Sequence, residues 1–300
     1  MSSAEQPRAV LVVGASSGIG LAAAVAFAQR GERLVLVARS EQALRDARAA
    51  CLTAGADAAD IAVADVGEQS QVEAAVEAAL ALHGRIDVVV LTATVMAYGS
   101  VETIPAEVFQ RVVQTSILGT GHVARTVLPV FRTQGGGTLI VVNSLLGSVA
   151  VAHMSAYTTA KWGQRALVRT LQQEVRGERG VRICLVSPGS VNTPIYYQAA
   201  NYLGRQVRPP WPVISPRRVA QTIVGLADHP REHVSIPVGA GNPVIITGFR
   251  LLPFVYDRIV ERLFRLLSMS RRPAEPTSGN VLSPRPDLER MHGHWPDRDD

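Results

Sequence analysis

A tyrosine and a lysine four positions apart, Tyr157 and Lys161, are the side chains whose types and spacing best suit proton transfer. Lys161 is the only lysine among the 30 basic residues, and all the others are arginines. A compact ammonium behaves differently from a planar guanidinium, so a single lysine in this background marks a specific requirement. Residues i and i+4 of a helix share a face, so the ammonium can approach the phenol and lower its pKa from about 10. The pair is typical of a general acid/base, and the alternative is a surface lysine without a chemical role.

A glycine-rich turn near the start of the chain is the second feature with chemical meaning. The sequence Gly14-Ala15-Ser16-Ser17-Gly18-Ile19-Gly20 follows the apolar run 9–13 and precedes an alanine-rich helical stretch. Glycines permit a tight turn and a close approach of backbone to phosphate, and the helix start supplies free N–H groups. A strand, this turn and a helix in that order predict a nucleotide-binding site.

Apolar, β-branched runs alternate with longer helical stretches along most of the chain. The predicted strands are 9–13, 34–38, 61–64, 86–91, 139–142 and 181–186, and the predicted helices are 21–30, 41–54, 68–83, 105–133 and 155–178. This order predicts an α/β fold with a Rossmann-type, doubly wound parallel sheet, whose ligands bind at the carboxyl ends of the strands. We predict one catalytic domain over 1–248, a basic amphipathic helical segment over 249–272 and an irregular tail over 273–300.

The motifs on these elements resemble those of the short-chain dehydrogenase/reductase family over residues 9–240. The resemblance rests on the Gly14-x-x-x-Gly18-x-Gly20 spacing, Ser144 thirteen positions before Tyr157, Lys161, and Pro188-Gly189 with Thr193. It implies an oxidoreductase in which Tyr157 exchanges a proton with the substrate oxygen while hydride moves between a nicotinamide and the carbonyl carbon. In this scheme Lys161 lowers the pKa of Tyr157 and binds the nicotinamide ribose, and Ser144 stabilises the developing alkoxide.

The resemblance also implies a nicotinamide dinucleotide site. Its expected residues are Gly14, Ser16, Ser17, Gly18, Ile19, Gly20, Arg39, Asp65, Val66, Ala93, Tyr157, Lys161, Pro188, Gly189, Val191 and Thr193. Arg39 directly follows the second strand, where an arginine suits the 2′-phosphate of NADP(H) and an acidic residue suits the ribose of NAD(H). We therefore expect NADP(H) to be preferred, with NAD(H) as second candidate; the alternative is an exposed arginine at a helix start. Asp65 with Val66 resembles the adenine-contacting pair, and the alternative for Asp65 is a cap on the next helix.

Two segments depart from the family pattern. Leu91-Thr92-Ala93-Thr94 stands where the family has Asn-Asn-Ala-Gly, and Ser116 stands where it has an Asn in the long fourth helix. In the family, that Asn helps to hold a water that leads from the lysine to solvent. A serine is shorter but still donates and accepts hydrogen bonds, so we expect the relay to persist with altered geometry.

The segment after Pro188-Gly189 is the variable substrate loop that the resemblance implies, here about 191–214. It contains Tyr196, Tyr197, Tyr202 and Trp211, together with Ile195 and Leu203. These side chains predict either an apolar lid over a bulky hydrophobic substrate or a loop packed onto its own domain.

The net charge of +5 is concentrated in the C-terminal part of the chain. Residues 250–272 contain six arginines against Asp257 and Glu261, and Leu251, Val255, Ile259 and Leu263 recur at helical spacing. A basic amphipathic helix of this kind either packs on protein, over the substrate pocket or another subunit, or lies on a membrane surface. Both remain open from the sequence.

Composition and cysteine content indicate the class of protein and its cellular compartment. The chain is 47% hydrophobic and 18% charged, as is typical of globular proteins. Cys51 and Cys184 do not form a disulfide framework, and Cys184 lies in an apolar run that predicts a buried thiol. Residues 1–8 are polar, and no apolar run approaches the roughly 18 residues that span a bilayer. We therefore expect a cytoplasmic protein, and expect neither a metal site nor nucleic-acid binding.

The leading hypothesis is an NADP(H)-dependent oxidoreductase that interconverts a carbonyl and a secondary alcohol on a bulky hydrophobic substrate. The rival is a non-catalytic, nucleotide-binding regulatory or interaction protein, which the two departures favour and the intact Ser144, Tyr157 and Lys161 oppose. A third hypothesis keeps the fold and cofactor but catalyses epimerisation or dehydration, for which the substrate loop is short. The resemblance implies a homodimer or homotetramer built on helices 105–133 and 155–178.

Overall fold

A parallel sheet of seven strands forms the centre of the protein in the computed structural model, which describes residues 7–231, 235–239 and 241–297. The strands are β1 (Ala9–Val13), β2 (Arg33–Ala38), β3 (Ala58–Val63), β4 (Val88–Leu91), β5 (Gly137–Val142), β6 (Val181–Pro188) and β7 (Ile236–Val238). Their order across the sheet is β7-β6-β5-β4-β1-β2-β3. The strand order reverses between β1 and β4, which confirms the predicted Rossmann-type doubly wound fold.

Helices cover both faces of this sheet. They are α1 (Gly18–Ala28), α2 (Glu41–Ala54), α3 (Gln69–His83), α4 (Ala106–Val113), α5 (Gly119–Gln134), α6 (Ser155–Glu174) and α7 (Pro216–Asp228). One core joins the sheet to Phe27 of α1, Leu44 of α2 and Ile223 of α7. The opposite core joins it to Val76 of α3 and Phe131 of α5. Because both faces are covered, the strands are almost continuously apolar.

The predicted elements agree with the observed ones apart from shifted ends, one distorted helix and two missed elements; helix 155–178, for example, ends at Glu174. The predicted strand 61–64 begins earlier, at Ala58. The predicted helix 105–133 contains a π-helical turn, Gln114–Leu118, between α4 and α5, a distortion that is frequent at functional sites. Strand β7 and helix α7 were not predicted; β7 has only three residues, one of them Pro237, and therefore lacks a strand pattern.

The C-terminal part of the chain folds back onto the domain. Helix α8 (Asn242–Leu251) contains the predicted boundary at 248, and α9 (Pro253–Ser268) follows it. Strand Met269–Pro273 then pairs antiparallel with Arg205–Val207. The tail 274–297 has little regular structure beyond the 3₁₀ turn Pro286–Leu288, yet Val281 is completely buried. Residues 1–6, which belong to the polar N-terminal stretch, and the last three residues of the predicted irregular tail lie outside the described residues.

The structure also bears on the cysteines, on membrane-spanning helices and on metal ligands. Cys51 and Cys184 are both buried thiols, which confirms the prediction for Cys184. Among the described helices, none combines the length and the apolar character needed to cross a bilayer. In the part of the chain that the structure describes, no three His, Cys, Asp or Glu side chains cluster as metal ligands.

Candidate active site

The glycine turn lies at the carboxyl end of β1 in a conformation that requires glycine. Gly14 has a φ of +95°, and a Cβ atom there would lie 2.6 Å from the backbone nitrogen of Ala93. A Cβ atom on Gly20 would lie 2.0 Å from the carbonyl oxygen of Gly14. Both distances are far below van der Waals contact, so only glycine lets the start of α1 approach the strand ends so closely. This is the arrangement that a phosphate site at a helix N-terminus needs.

Thr92, in the segment that departs from the family pattern, supports the glycine turn. Its hydroxyl lies 3.0 Å from the carbonyl oxygen of Val13 and 3.1 Å from that of Gly14. Its backbone N–H also donates to the Val13 carbonyl, at 2.8 Å. The departure therefore keeps a polar support between β4 and the turn.

A cavity of about 140 Å³ lies between the glycine turn and the ends of β2, β3 and β4. The predicted cofactor residues that line it are Gly14, Ser16, Ser17, Gly18, Ile19, Gly20, Arg39, Asp65, Val66, Ala93 and Thr193. We call it the dinucleotide cavity. Tyr157, Pro188, Gly189 and Val191 line a second cavity, and Lys161 lines neither.

Asp65 lies at the floor of the dinucleotide cavity in a fixed orientation. Its carboxylate accepts a hydrogen bond of 2.8 Å from the N–H of Gly67 and pairs with Arg111. The residue at the N-cap of α3 is Glu68, so the alternative that Asp65 caps this helix is wrong. The ion pair with Arg111 satisfies the charge of Asp65 from the side of α4.

The C-terminal tail covers the other side of the dinucleotide cavity. The Arg39 guanidinium donates to the carbonyl oxygens of Asn280, at 2.6 Å, and Val281, at 3.1 Å. The Gly18 N–H donates to the carbonyl oxygen of Arg290 at 3.0 Å. The Glu289 carboxylate hydrogen-bonds the Ser16 hydroxyl, and burial raises the pKa of Glu289. The alternative of an exposed Arg39 is thus wrong, since this side chain is partly buried beneath the tail.

A second, larger cavity of about 600 Å³ adjoins the first. Ile19, Thr92, Thr94, Thr193 and Ile195 line both cavities, so the two are continuous. The predicted catalytic residues Ser144 and Tyr157 line the larger one. We call it the substrate cavity.

Tyr157 and Ser144 form a hydrogen-bonded pair of hydroxyl groups in the wall of the substrate cavity. The phenol is buried among Met96, Tyr98 and Met154. Burial raises the pKa of Tyr157, and the hydrogen bond with Ser144 opposes the rise. This direction is opposite to the one expected from the Tyr157–Lys161 spacing, because desolvation disfavours the phenolate more than its surroundings stabilise it.

Lys161 lies behind Tyr157 rather than in a cavity wall. It is 1% exposed, and its Nζ is 5.7 Å from the centroid of the Tyr157 ring. The ammonium donates to the side-chain oxygen of Gln164 at 3.0 Å and to the carbonyl oxygen of Val142 at 3.3 Å. Burial lowers the pKa of Lys161 to about 7. The alternative of a lysine on the helix surface is therefore wrong.

Ser116, at the family's Asn position, lies in the π-helical turn close to Lys161. Its hydroxyl is 3.4 Å from that of Thr94, and its carbonyl oxygen accepts from the Thr120 hydroxyl at 2.6 Å. The same carbonyl accepts from the Gln164 amide at 3.4 Å. The Ser116 carbonyl is therefore linked to Lys161 through the Gln164 side chain.

The predicted substrate loop divides between the two roles considered for it. Ile195, Tyr196 and Trp211 line the substrate cavity. Tyr197 instead stacks on His294 and lies 5.7 Å from Trp295, both in the tail. Helix α9 completes the substrate cavity, with Tyr256, Ile259, Leu263 and Phe264 in its lining.

Several residues at the two cavities were not among those predicted. Asn280 and Glu289 of the tail line the dinucleotide cavity, and Gln164 contacts Lys161. Gln164 lies three positions after Lys161, so helical spacing alone could have identified it. No pattern in the tail indicated its position, because that depends on contacts between distant parts of the chain.

Comparison with known proteins places this site in a family. The model of the short chain dehydrogenase family matches residues 8–201. The uncharacterized oxidoreductase YxnA of Bacillus subtilis (strain 168) is 30% identical over 276 residues, covering 91% of this chain and 77% of YxnA. Levodione reductase of Leifsonia aquatica is 32% identical over 219 residues, covering 72% of this chain and 79% of that enzyme.

Solved structures give the same result. The crystal structure of levodione reductase matches with a TM-score of 0.70 at 28% identity, covering 79% of this chain and 98% of that one. An alcohol dehydrogenase from the archaeon Thermococcus sibiricus, complexed with 5-hydroxy-NADP, matches with a TM-score of 0.67 at 26% identity, covering 78% and 95%. The matched region carries the glycine turn, Ser144 and Tyr157, and the chain therefore belongs to the short-chain dehydrogenase/reductase family of oxidoreductases.

Proposed function

We propose that the protein is an NADP(H)-dependent oxidoreductase that interconverts a carbonyl and a secondary alcohol on a bulky hydrophobic substrate. The observation that supports this proposal is that Ser144 and Tyr157 line the substrate cavity, which shares lining residues with the dinucleotide cavity. A substrate oxygen bound there meets two hydrogen-bonding hydroxyls. A nicotinamide that extends from the dinucleotide cavity would then lie beside the carbonyl carbon.

The residues of the dinucleotide cavity suit a nicotinamide dinucleotide. The close approach at Gly14 and Gly20 leaves backbone, rather than side chains, against the phosphate position. Arg39 supplies a guanidinium at the end of β2, where the 2′-phosphate of NADP(H) would lie, and this supports a preference for NADP(H). Pro188 and Gly189 line the substrate cavity and would bound the nicotinamide end.

The roles of the protein side chains in this reaction follow from their surroundings. When bound, the nicotinamide supplies or accepts hydride. With its raised pKa, Tyr157 is protonated at neutral pH and can donate its proton to a carbonyl oxygen. Ser144 hydrogen-bonds the same oxygen as negative charge develops on it. Alcohol oxidation is the reverse reaction, in which the Tyr157 oxygen accepts the proton.

The lining of the substrate cavity supports the substrate class. Its members are predominantly apolar side chains, among them Met96, Val149, Ile214, Leu263 and Phe264. A volume of about 600 Å³ falls within the roughly 300–1,000 Å³ of ligand pockets. A ketone or alcohol with a large apolar body, such as a lipid-like, steroid-like or aromatic one, buries its surface there.

A panel of apolar ketones and alcohols, followed by NADPH absorbance, tests the proposal. We expect reduction of bulky apolar ketones, with smaller kcat/KM values for short polar ones and for NADH in place of NADPH. Absence of turnover together with tight binding of NADPH would favour the non-catalytic regulator. Equal kcat/KM values with NADH and NADPH would contradict the cofactor preference.

We further propose that α8 and α9 contact an anionic membrane surface. Val244, Leu251, Phe254 and Leu266 point away from the substrate cavity, and Leu251 and Phe254 are 73% and 74% exposed. Val255 and Ile259 of α9 line the cavity and are also exposed, so the cavity and the outer face meet on this helix. The exposed apolar side chains alternate with arginines, a composition suited to acyl chains beside acidic headgroups. A lipid-like substrate would then enter directly from the membrane.

Sedimentation with vesicles tests the membrane contact. We expect the full chain to bind vesicles of mixed neutral and anionic lipids, and to bind neutral vesicles less. Replacing Val244, Leu251, Phe254 and Leu266 by serine should abolish binding. The matched control is serine at Leu52 and Leu82, which are exposed on α2 and α3. Unchanged sedimentation, or loss of a dimer instead of vesicle binding, would contradict this proposal.

The oligomeric state follows from the family resemblance alone, and the location from the composition and the cysteine content. A homodimer or homotetramer through α4 to α6 and a cytoplasmic location remain predictions. Light scattering of the purified full chain gives the mass of the assembly, and a monomer at micromolar concentration would contradict the first.

A further inference from the structure

Gln164 is buried beside Lys161 and uses every hydrogen-bonding position of its amide. Its side-chain oxygen accepts from the Lys161 ammonium and from the Asn143 amide, each at 3.0 Å. Its nitrogen donates to the Thr120 hydroxyl at 2.9 Å and to the Ser116 carbonyl at 3.4 Å. An ammonium can only donate, so the amide oxygen must face Lys161 and the orientation of the amide is settled.

These contacts join four parts of the fold around the ammonium. Asn143 follows β5, Ser116 lies in the π-helical turn, Thr120 is in α5, and Gln164 itself is in α6. Asn143 also donates to the Lys161 carbonyl at 2.9 Å. Every member of this network other than Lys161 is neutral, and Tyr157 is the titratable group that faces it. Among the described residues, no carboxylate forms an ion pair with Lys161.

We propose that Gln164 is a positioning residue that holds the Lys161 ammonium behind Tyr157. This inference rests on the proposed role of Tyr157 and Lys161 in catalysis. The Gln164 oxygen accepts from the ammonium, and the Gln164 nitrogen donates to the Ser116 carbonyl. The ammonium is therefore held by a neutral amide dipole that is anchored to the π-helical turn.

The neutral Gln164 oxygen also affects the pKa of Lys161. Burial disfavours the ammonium, and the lowered pKa of Lys161 reflects this. The Gln164 and Val142 oxygens oppose that effect without adding a charge. A carboxylate in place of the amide would instead stabilise the ammonium strongly.

The single lysine makes a direct test available. With isotope-labelled lysine, the full chain gives one side-chain NMR signal, and its titration yields the pKa of Lys161 without any substrate. We expect Gln164→Glu to raise this pKa by about 1–3 units, as an opposite charge at this distance does. We expect Gln164→Met, which keeps the length but lacks the acceptor, to lower it. Gln173→Glu, an exposed change on the same helix, is the control and should leave it unchanged.

The outcomes separate this inference from the proposed function. An equal pKa of Lys161 in the wild type and Gln164→Glu would overturn the positioning role, whatever the turnover. If Gln164→Met does not fold, the Glu variant decides alone. Absence of turnover with any ketone would refute the proposed function and leave the pKa result standing.

A second inference comes from the tail and concerns access to the dinucleotide cavity. Three tail acceptors bind the donors that a dinucleotide needs: the Asn280 carbonyl at Arg39, the Arg290 carbonyl at Gly18, and the Glu289 carboxylate at Ser16. The second oxygen of the Glu289 carboxylate is buried without a hydrogen-bond partner. An anion therefore already lies beside the position where the pyrophosphate would bind.

We infer that the tail and the dinucleotide compete for this cavity, so that the tail regulates the activity proposed above. The remaining space of about 140 Å³ is below the roughly 300–1,000 Å³ of ligand pockets. Two phosphates bound in this cavity and the Glu289 carboxylate would also repel each other, because they carry like charges. Binding of the cofactor therefore requires the tail to move outward.

Titration of the full chain with NADPH tests the competition. Glu289→Gln removes the competing charge. Gly279→Val displaces the tail beside Asn280, because its φ is +54° and a Cβ atom would lie 2.1 Å from the carbonyl oxygen of Gln198, a residue at the edge of the cavity. We expect both to lower the Kd about tenfold, the factor gained when a site closed in about nine molecules of ten is opened. Glu275→Gln, an exposed change in the same tail, should have no effect.

The direction in which the Kd for NADPH changes decides whether the tail and the dinucleotide compete. Equal or weaker binding in both variants would overturn the competition and leave the proposed cofactor intact. Absence of NADPH binding in every variant would overturn the proposed cofactor and this inference together.

Discussion

At the scale of single residues, burial dominates the chemistry of the site. Tyr157 and Lys161 are both enclosed, and enclosure favours the neutral form of each: the protonated phenol and the uncharged amine. The hydrogen bonds from Ser144 and to Gln164 act against burial in each case. The pair therefore has shifted proton affinities that a spacing rule on an exposed helix would not anticipate.

Replacing Ser144 by alanine should remove one of the two groups that bind the substrate oxygen. We expect kcat for ketone reduction to fall about 100-fold, as is typical when one oxyanion donor is lost. Ser144→Thr retains the hydroxyl and should retain most of the activity. The measurement is steady-state turnover with NADPH, with the melting temperature as a check on folding. A Ser144→Ala enzyme as active as the wild type would contradict the assignment.

Lys161 should make the stability of the protein depend on pH. Its pKa is lowered from its ordinary value of 10.5 to about 7, so between these values the unfolded chain binds more protons than the folded one. The free energy of unfolding contributed by this group therefore rises with pH across that window. We expect Lys161→Met to be more stable than the wild type at pH 6, with an advantage that shrinks toward pH 9. Urea denaturation at several pH values measures this, and a constant difference would contradict it.

At the scale of elements, the contact between α1 and the ends of β1 and β4 positions the dinucleotide cavity. This contact exists because Gly14 and Gly20 have no Cβ atom where the backbones meet. The Thr92 hydroxyl then joins β4 to the turn. The helix start, the strand ends and the supporting hydroxyl are thus one unit.

Gly20→Ala should damage this unit. Its Cβ atom would lie 2.0 Å from the Gly14 carbonyl oxygen and 2.5 Å from the Thr92 hydroxyl. We expect the free energy of unfolding to fall by about 1–3 kcal/mol, as for other overpacked sites, and NADPH binding to weaken. Gly177→Ala is the control, because no atom lies within 4 Å of its Cβ position. Denaturation and NADPH titration measure both effects, and unchanged values for Gly20→Ala would show that the turn tolerates a side chain.

At the scale of the whole molecule, the sheet and the main motifs were predictable because their signals are local. Each strand or turn carries its own pattern, so the Rossmann-type fold, the glycine turn and the Ser144–Tyr157 spacing were readable from the sequence. The edge strand β7 was not, because three residues with Pro237 resemble a loop. Nor was the tail, since Glu289 meets Ser16 only after the chain has returned across the domain.

The direction of the Tyr157 pKa shift could not be predicted from the sequence either. The spacing correctly indicates that the two side chains are neighbours, with Nζ 5.7 Å from the ring centroid. It does not indicate how much water remains around them, and that quantity determines the direction of the pKa shift. Gln164 accepts from the Lys161 ammonium inside this enclosure.

The central claim is that the Tyr157 phenol donates the proton in an NADPH-dependent reduction. The most direct test is Tyr157→Phe, which removes one oxygen from a side chain buried in the cavity wall. We expect kcat/KM for the best ketone to fall about 10²–10⁴-fold, the usual range for loss of a general acid. Binding of NADPH should be unchanged. A Tyr157→Phe enzyme that reduces the ketone at the wild-type rate would contradict the account.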